Sequence, residues 1–143
     1  MRIYNFSSKY ADMNVYINMN VVSHIKIDSK KNKIYFNMAY SILGNNNDFI
    51  QDYIYVERNA ENLEMLYEAV NTVDFISYDE GKWVNRNTIS SFKYDPTNCR
   101  VIINLSTAHT YTVRDNIKVM SEFVYMNNVT NDGFKKFVEQ VSN

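Results

Sequence analysis

The sequence contains very little glycine, proline or cysteine. Three glycines and one proline occur in 143 residues, so the glycine-rich loops that let a backbone approach nucleotide phosphates are missing. Cys99 is the single cysteine, which excludes an internal disulfide and a cysteine-based zinc site. These shortages argue against nucleotide-binding loop proteins and against small disulfide-stapled domains.

An excess of charge of one sign is also missing. Fifteen lysine and arginine residues face sixteen aspartate and glutamate residues, for a formal net charge of -1. A strongly basic footprint would favour nucleic-acid binding, and only a local basic patch is compatible with this balance. No apolar run approaches the roughly 18 residues of a membrane span, and the first residues lack the apolar core of a secretory signal. We therefore expect a cytoplasmic protein with no membrane partner.

Catalytic motifs are not found either. His24 and His109 have no second metal ligand three or four residues away. We expect His24 to be an exposed or locally bonded strand histidine rather than a catalytic residue. Helical spacing places Glu61, Glu64 and Glu68 on one solvated helix face rather than in an acidic cluster. We expect a protein that is not an enzyme and that needs no cofactor and no metal.

The chain does contain an internal likeness, which predicts a repeat architecture. Residues 15–38 align with residues 82–105 without a gap, and six pairs are identical. The identical pairs are Asn18/Asn85, Asn20/Asn87, Ser23/Ser90, Lys26/Lys93, Asp28/Asp95 and Asn37/Asn104. Composition alone predicts about one or two such identities in a window of this length. We interpret the likeness as a tandem duplication.

Each half closes with a predicted amphipathic helix. Residues 53–56 match residues 123–126, and an apolar stripe with helical spacing follows in both halves. The stripes are Leu63, Leu66, Tyr67 and Val70 in the first half, and Phe134, Phe137, Val138 and Val141 in the second. Asn59 and Thr130 fall at equivalent N-cap positions. The predicted repeats are residues 1–71 and 72–143, packed as one compact domain.

The stretches before the helices alternate apolar and polar residues, which is typical of half-buried strands. Asp28 and Asp95 begin the turns of two hairpins. Each repeat is thus predicted to contain four or five antiparallel strands followed by one helix, an α+β class with pseudo-two-fold symmetry. We expect the two sheets to pack together or to share an edge. Residues 106–120 are longer and less regular, and we expect them to add an edge strand through residues 111–113.

This order of elements, given twice over the whole chain, resembles the plan of PUR-repeat and Whirly-type modules, which bind single-stranded nucleic acid. The sequence contains no motif specific to either family, and its neutral charge departs from their basic faces. Tyr16 and Trp83 are equivalent in the repeat, as are Lys26 and Lys93. Together with Arg86 they form the candidate binding surface.

Aromatic residues are plentiful, with 12 Tyr, 8 Phe and 1 Trp. Exposed aromatic rings anchor protein interfaces and also stack on single-stranded bases. Heavy use of Asn, Ile, Tyr and Lys points to AT-rich codons, as in a low-GC bacterium, a bacteriophage or a large DNA virus. We therefore expect a non-enzymatic phage or viral protein that binds a host protein in the host cytoplasm. Single-stranded nucleic-acid binding is the alternative, and a small-molecule pocket between the two helices or at a dimer interface is a third. A monomer and a homodimer both fit the pattern.

Overall fold

A computed structural model describes residues 2–8, 14–39, 42–43, 49–50, 53–72, 74–114 and 116–142. The first half contains the strands β1 (Ile3–Ser7), β2 (Asn14–Asn18), β3 (Val22–Asp28), β4 (Lys33–Met38), β5 (Ile42–Leu43), β6 (Phe49–Ile50) and β7 (Tyr53–Glu57), then helix α1 (Ala60–Val70). The second half contains β8 (Phe75–Asp79), β9 (Lys82–Asn85), β10 (Ile89–Asp95), β11 (Arg100–Val113), β12 (Asn116–Met126) and helix α2 (Asn131–Ser142).

All strand pairs in this part of the chain are antiparallel. The central sheet has five strands in the order β7-β4-β3-β9-β8, and a second sheet has the order β10-β11-β12. The hairpins β1-β2 and β5-β6 form two-stranded sheets. Because β9 pairs with β3, the central sheet combines strands from both sides of Asn71.

The first hydrophobic core lies between α1, the β1-β2 hairpin and one face of the central sheet. Alternate residues of β3 and β4 point into it, as the period-two pattern requires. Ile25, Ile34 and Phe36 are fully buried there, together with Phe6 of β1 and Leu66 of α1. The apolar stripe of α1 therefore covers the sheet face that the sequence pattern marks as buried.

The second core lies between α2 and the three-stranded sheet. Phe137 of α2 is buried and meets the ring of Phe92 edge-on, with 5.1 Å between ring centroids. Val101 and Ile103 of β11 are fully buried in the same cluster. Val84 of β9 also belongs to this core, so the central sheet contributes to both cores.

A short 3-10 turn precedes each hairpin, Met19–Val21 in the first half and Arg86–Thr88 in the second. The Oδ1 of Asn18 accepts the N–H of Asn20 at 3.0 Å, and the Oδ1 of Asn85 accepts the N–H of Asn87 at 3.0 Å. These asparagines satisfy backbone donors that the turn frees, which explains their presence in both halves.

The hairpin turns also match. The Oδ1 of Asp28 accepts the N–H groups of Lys30 and Lys31, and the Oδ1 of Asp95 accepts those of Thr97 and Asn98. Each turn ends in a left-handed residue, Asn32 with φ 56° and Cys99 with φ 50°. An aspartate at the first position of a turn ordinarily accepts such hydrogen bonds from the backbone N–H groups that follow it.

The α+β class and the antiparallel sheets are confirmed. Similar local geometry at matching positions is what a duplication predicts, but the first hairpin of each half behaves differently. β8-β9 joins the central sheet, whereas β1-β2 forms a sheet of its own. The duplication and its boundary near Asn71 stay predictions.

The strand expected at residues 111–113 is found, but residues 106–120 contribute more strand than expected. They belong to a long hairpin in which β11 runs to Val113 and β12 starts at Asn116. The sequence there is rich in β-branched and aromatic residues, which favour extended backbone even without a clean alternation.

Candidate nucleic-acid interface

The face of the central sheet that is turned away from α1 carries tyrosines and lysines in neighbouring strands, beyond the part of it that the second core covers. Lys26 of β3 lies directly opposite Lys82 of β9 and Tyr35 of β4. Tyr35 lies opposite Tyr55 of β7, and Tyr53 is in the next row of β7 on the same face. Since residues two apart share a face, these five side chains form one surface, which we call the Lys–Tyr face.

The tyrosine rings of the Lys–Tyr face touch one another. The ring centroid of Tyr35 is 5.6 Å from that of Tyr53 and 6.0 Å from that of Tyr55, both at steep angles. Lys33 holds its Nζ 4.2 Å from the centroid of the Tyr55 ring, a cation–π contact. The rings are half-buried against each other and fixed in position, while Lys26 is exposed.

A shallow cleft of about 370 Å³ lies on this face. It is lined by His24, Lys26, Asp28, Lys31, Tyr35, Asn37 and Tyr53. The lining thus combines two half-buried tyrosines with two exposed lysines, Lys26 and Lys31. A flat ring can stack on such tyrosines while an anionic group meets the lysines.

One carboxylate also lines this cleft. The pKa of Asp28 lies below its usual 3.8, chiefly because the carboxylate accepts the backbone N–H of Lys31, with Lys26 adding electrostatic stabilisation. Asp95 in the second half has a lowered pKa too, chiefly through the side-chain hydrogen bond from Asn98. Both aspartates are ionised turn acceptors, so Asp28 offsets part of the positive charge that Lys26 and Lys31 bring to the cleft.

A similar surface lies on the three-stranded sheet. Lys93, Arg100, Phe123 and Tyr125 form what we call the Phe–Arg face. The guanidinium carbon of Arg100 is 4.1 Å from the Tyr125 ring centroid, and the ring of Phe123 contacts Tyr125 at 5.1 Å. Phe123 is 47% exposed. Arg100 and Tyr125 thus repeat the contact that Lys33 and Tyr55 make in the first half.

The structure brings together only part of the candidate surface predicted from the sequence. Lys26 and Lys93 lie on the two faces just described. Tyr16 is 65% exposed but lies on the separate β1-β2 hairpin.

Trp83 and Arg86 are used elsewhere. Trp83 lies opposite Ile25 and packs on the first core, with its ring 5.9 Å from that of Tyr67. It is therefore on the other side of the sheet from Lys26. Arg86 forms an ion pair with Asp74 at 3.7 Å. Neither residue belongs to the Lys–Tyr face.

The sequence reasoning missed Tyr35, Tyr53 and Tyr55 as a cluster. The signal was present in part, because Tyr55 and Tyr125 matched in the repeat and Lys33 matched Arg100. Parity along β4 also places Tyr35 opposite to the buried Ile34 and Phe36. The register between β4 and β7 was not available from the pattern, since a variable segment separates them.

His24 also differs from its expected role. It was predicted to be an exposed or locally bonded strand histidine, and it is 9% exposed. Its Nδ1 lies 3.0 Å from the Oγ of Ser23, and its Nε2 lies 3.3 Å from an oxygen of Glu122 in β12. The local bond was foreseen, whereas the contact to the other sheet was not.

Within the described ranges, no group of three or more His, Cys, Asp or Glu side chains could hold a metal ion. Neither helix of this part of the chain is long and apolar enough to cross a membrane. The larger of the two clefts described lies beside α1 and includes no residue of α2.

No family model matches the sequence, and no curated protein matches it. The fold itself, antiparallel sheets with two helices, has a counterpart among solved structures. A LytTr DNA-binding domain from Bacillus cereus superposes with a TM-score of 0.54 over 98% of both chains, at 16% sequence identity. This match shows a shared fold along the whole length of the chain.

Proposed function

We propose that this protein binds nucleic acid and that the Lys–Tyr face is the contact surface. The Phe–Arg face, which combines the same kinds of side chain, is proposed as a second contact. This was the alternative hypothesis from the sequence. The net charge of -1 requires that binding depend on these local faces rather than on the overall field of the protein.

One observation carries the proposal. Three tyrosine rings from adjacent strands lie in contact beside exposed lysines on one sheet face. Base rings stack on aromatic side chains with a gain of about 1–3 kcal/mol per base, and lysines contact the phosphates. Fixed rings lose little conformational entropy on binding, which favours a base over a flexible peptide.

The fold neighbour supports the same class of function, because the Bacillus cereus domain is named as DNA-binding. A shared fold is an analogy and does not by itself transfer a function. The comparisons give no support to a host-protein partner or to a phage origin. Nucleic acid is therefore preferred to the host protein that the aromatic content first suggested.

The test is the anisotropy of fluorescent single-stranded and double-stranded DNA titrated at several salt concentrations. The double variant Lys26→Ala, Lys31→Ala removes two exposed lysines of the cleft. The control Lys135→Ala, Lys136→Ala removes two exposed lysines from α2. We expect the first variant to reduce the slope of log affinity against log salt by about 1.4 for single strands or about 1.8 for duplex. The control should leave the slope unchanged.

Substitutions of Tyr35 distinguish the contribution of base stacking from that of the lysine charges. Tyr35→Leu removes the ring from the centre of the cluster and should weaken single-strand binding roughly tenfold, while Tyr35→Phe should retain it. Thermal melts of both variants establish that the fold is kept. Equal weakening by both lysine pairs, or no binding of either DNA at low salt, would overturn the proposal.

A further inference from the structure

A second cleft lies on the opposite side of the central sheet, beside α1. Its volume is about 410 Å³, and it is lined by Ile27, Ser29, Arg58, Leu63, Tyr67, Glu80 and Gly81. The N–H of Ile27 donates to the carbonyl of Gly81 at 2.9 Å, so the β8-β9 turn is held over the end of β3. This size is typical of small-molecule sites, which span about 300–1,000 Å³.

Arg58 is the unusual residue in this cleft. Its backbone N–H donates to the carbonyl of Asn32 at 2.9 Å, which fixes the residue ahead of α1. In the part of the chain that the structure describes, the Nε of its side chain is buried and has no hydrogen-bond partner. A buried donor without an acceptor is costly, and an arginine is always charged. The Arg58 side chain therefore has a donor available to an anionic group, in a cleft that the Glu80 side chain also lines.

In the second half of the chain, larger side chains fill the position that corresponds to this cleft. Val129 makes the equivalent backbone bond, its N–H donating to the carbonyl of Cys99 at 2.7 Å, and its side chain is buried. The rings of Tyr94 and Phe134 stack there with centroids 5.2 Å apart. In the alignment these two residues match Ile27 and Leu63, which are smaller.

The first half thus replaces two stacked rings and a valine with two aliphatic side chains and an arginine. The change opens space and places a positive charge beside it. Ile27, Leu63 and Tyr67 supply the apolar part of a mixed lining, which also includes Ser29 and Glu80. Together with the Arg58 donor, this apolar part favours a ligand that has an apolar or aromatic body and one oxyanion. The Tyr67 ring, 54% exposed, provides a surface for an aromatic body.

We propose that this cleft, the Arg58 pocket, binds a small aromatic molecule through its carboxylate or phosphate group. The proposal is independent of nucleic-acid binding, since the Arg58 pocket and the Lys–Tyr face share no residue. Trp83 contacts Tyr67 at 5.9 Å between ring centroids, and it is the single tryptophan. Its fluorescence is therefore a built-in reporter of this pocket.

The experiment titrates the protein with benzoate, phenyl phosphate and uncharged benzyl alcohol. Trp83 fluorescence and the melting temperature are followed together. At tenfold excess over the dissociation constant, we expect the better anion to raise the melting temperature by about 3–5 °C. Comparing benzoate with phenyl phosphate distinguishes a carboxylate from a phosphate ligand. Benzyl alcohol should give no saturable change.

Two variants locate the binding. Arg58→Met should abolish the response to both anions and melt no lower than the wild type, because it removes an unpartnered buried charge. Leu63→Phe should also abolish it by filling the pocket as Phe134 does in the second half. The matched control Arg114→Met removes an exposed arginine and should bind normally. A response that survives Arg58→Met or Leu63→Phe, an equal response to benzyl alcohol, or no response to either anion would overturn the proposal.

Discussion

Tyr78 is placed in the second core with only 7% of its surface exposed. Burial raises the pKa of its hydroxyl to about 12, and the negative charges of Asp79 and Glu122 act in the same direction. The neutral phenol is thus strongly preferred in the folded protein. In an unfolded chain the same group ionises at its usual pKa of 10.0.

This difference predicts an alkaline limit on stability. Because the folded-state pKa is the higher one, the contribution of Tyr78 is complete below about pH 10 and is lost as the pH rises to about 12. Over that interval the wild type should lose about 2–3 kcal/mol more unfolding free energy than Tyr78→Phe. Urea unfolding followed by circular dichroism at both pH values measures the difference. Parallel losses in the two proteins would contradict the assignment to Tyr78.

For single residues, the hydrogen bonds to neighbouring backbone groups were predictable from the sequence. The position of a side chain relative to distant strands was not. The turns at Asp28 and Asp95 follow from side chains that bond the next few backbone groups. Tyr16 and Trp83, in contrast, match in the alignment but differ in burial. β9 is paired with β3, which puts Trp83 against the first core, while β2 pairs with β1 in a two-stranded sheet. No local pattern encodes that choice.

Among the elements, α1 is joined to β1 by a buried side chain. Asn62 in the first turns of α1 is fully buried. Its Oδ1 accepts the N–H of Ser7 at 2.9 Å, and its Nδ2 donates to the carbonyls of Ser7 at 3.0 Å and Glu57 at 2.8 Å. One amide thus links the ends of two strands to the helix.

Replacing Asn62 by Ala should therefore lower the unfolding free energy by about 1–3 kcal/mol, because the backbone groups of Ser7 and Glu57 lose their partner. The control Glu64→Ala changes an exposed residue of the same helix and should stay within about 0.5 kcal/mol of the wild type. Urea denaturation measures both. A loss for Asn62→Ala no larger than that of the control would show that solvent replaces these bonds.

The elements themselves were largely predictable, because both helices follow clear apolar stripes and the main strands alternate. Asn62 was not singled out, since a polar residue between apolar stripe positions normally faces solvent. Its burial depends on β1 lying beside the first turns of α1. The long β11-β12 hairpin was missed for a related reason, since its residues do not follow a clean period of two.

Across the whole molecule, His24 of the central sheet and Glu122 of the three-stranded sheet form a contact between the two halves. The ring Nε2 and the carboxylate oxygen are 3.3 Å apart, with 11% and 10% of the side chains exposed. The hydroxyl of Ser23 donates to the carbonyl of Asn37, so its oxygen is free to accept from the Nδ1 of His24. The ring is therefore held on both sides.

A double-mutant cycle tests this contact. His24→Ala and Glu122→Ala should each destabilise the protein, and their coupling energy should be about 1–3 kcal/mol because the pair is shielded from water. The control cycle uses Lys82 and Asp79, which are 3.4 Å apart at an exposed site, and should give about 0.5 kcal/mol or less. Unfolding free energies from urea titrations supply both values. Additive effects at His24 and Glu122 would contradict the predicted coupling.

The two faces of the β8-β9 hairpin bury different sets of apolar side chains. Phe75 and Trp83 face the first core, while Ile76, Tyr78 and Val84 face the second. The same two strands thus separate the two cores, and a change that loosens the hairpin destabilises both of them. If the chain were divided near Asn71, the first portion would lose β9, the partner of β3. It would then expose an unpaired strand edge and part of its first core, and both features favour aggregation. The two predicted repeats, which the sequence alignment treats as separate units, would then depend on each other for solubility.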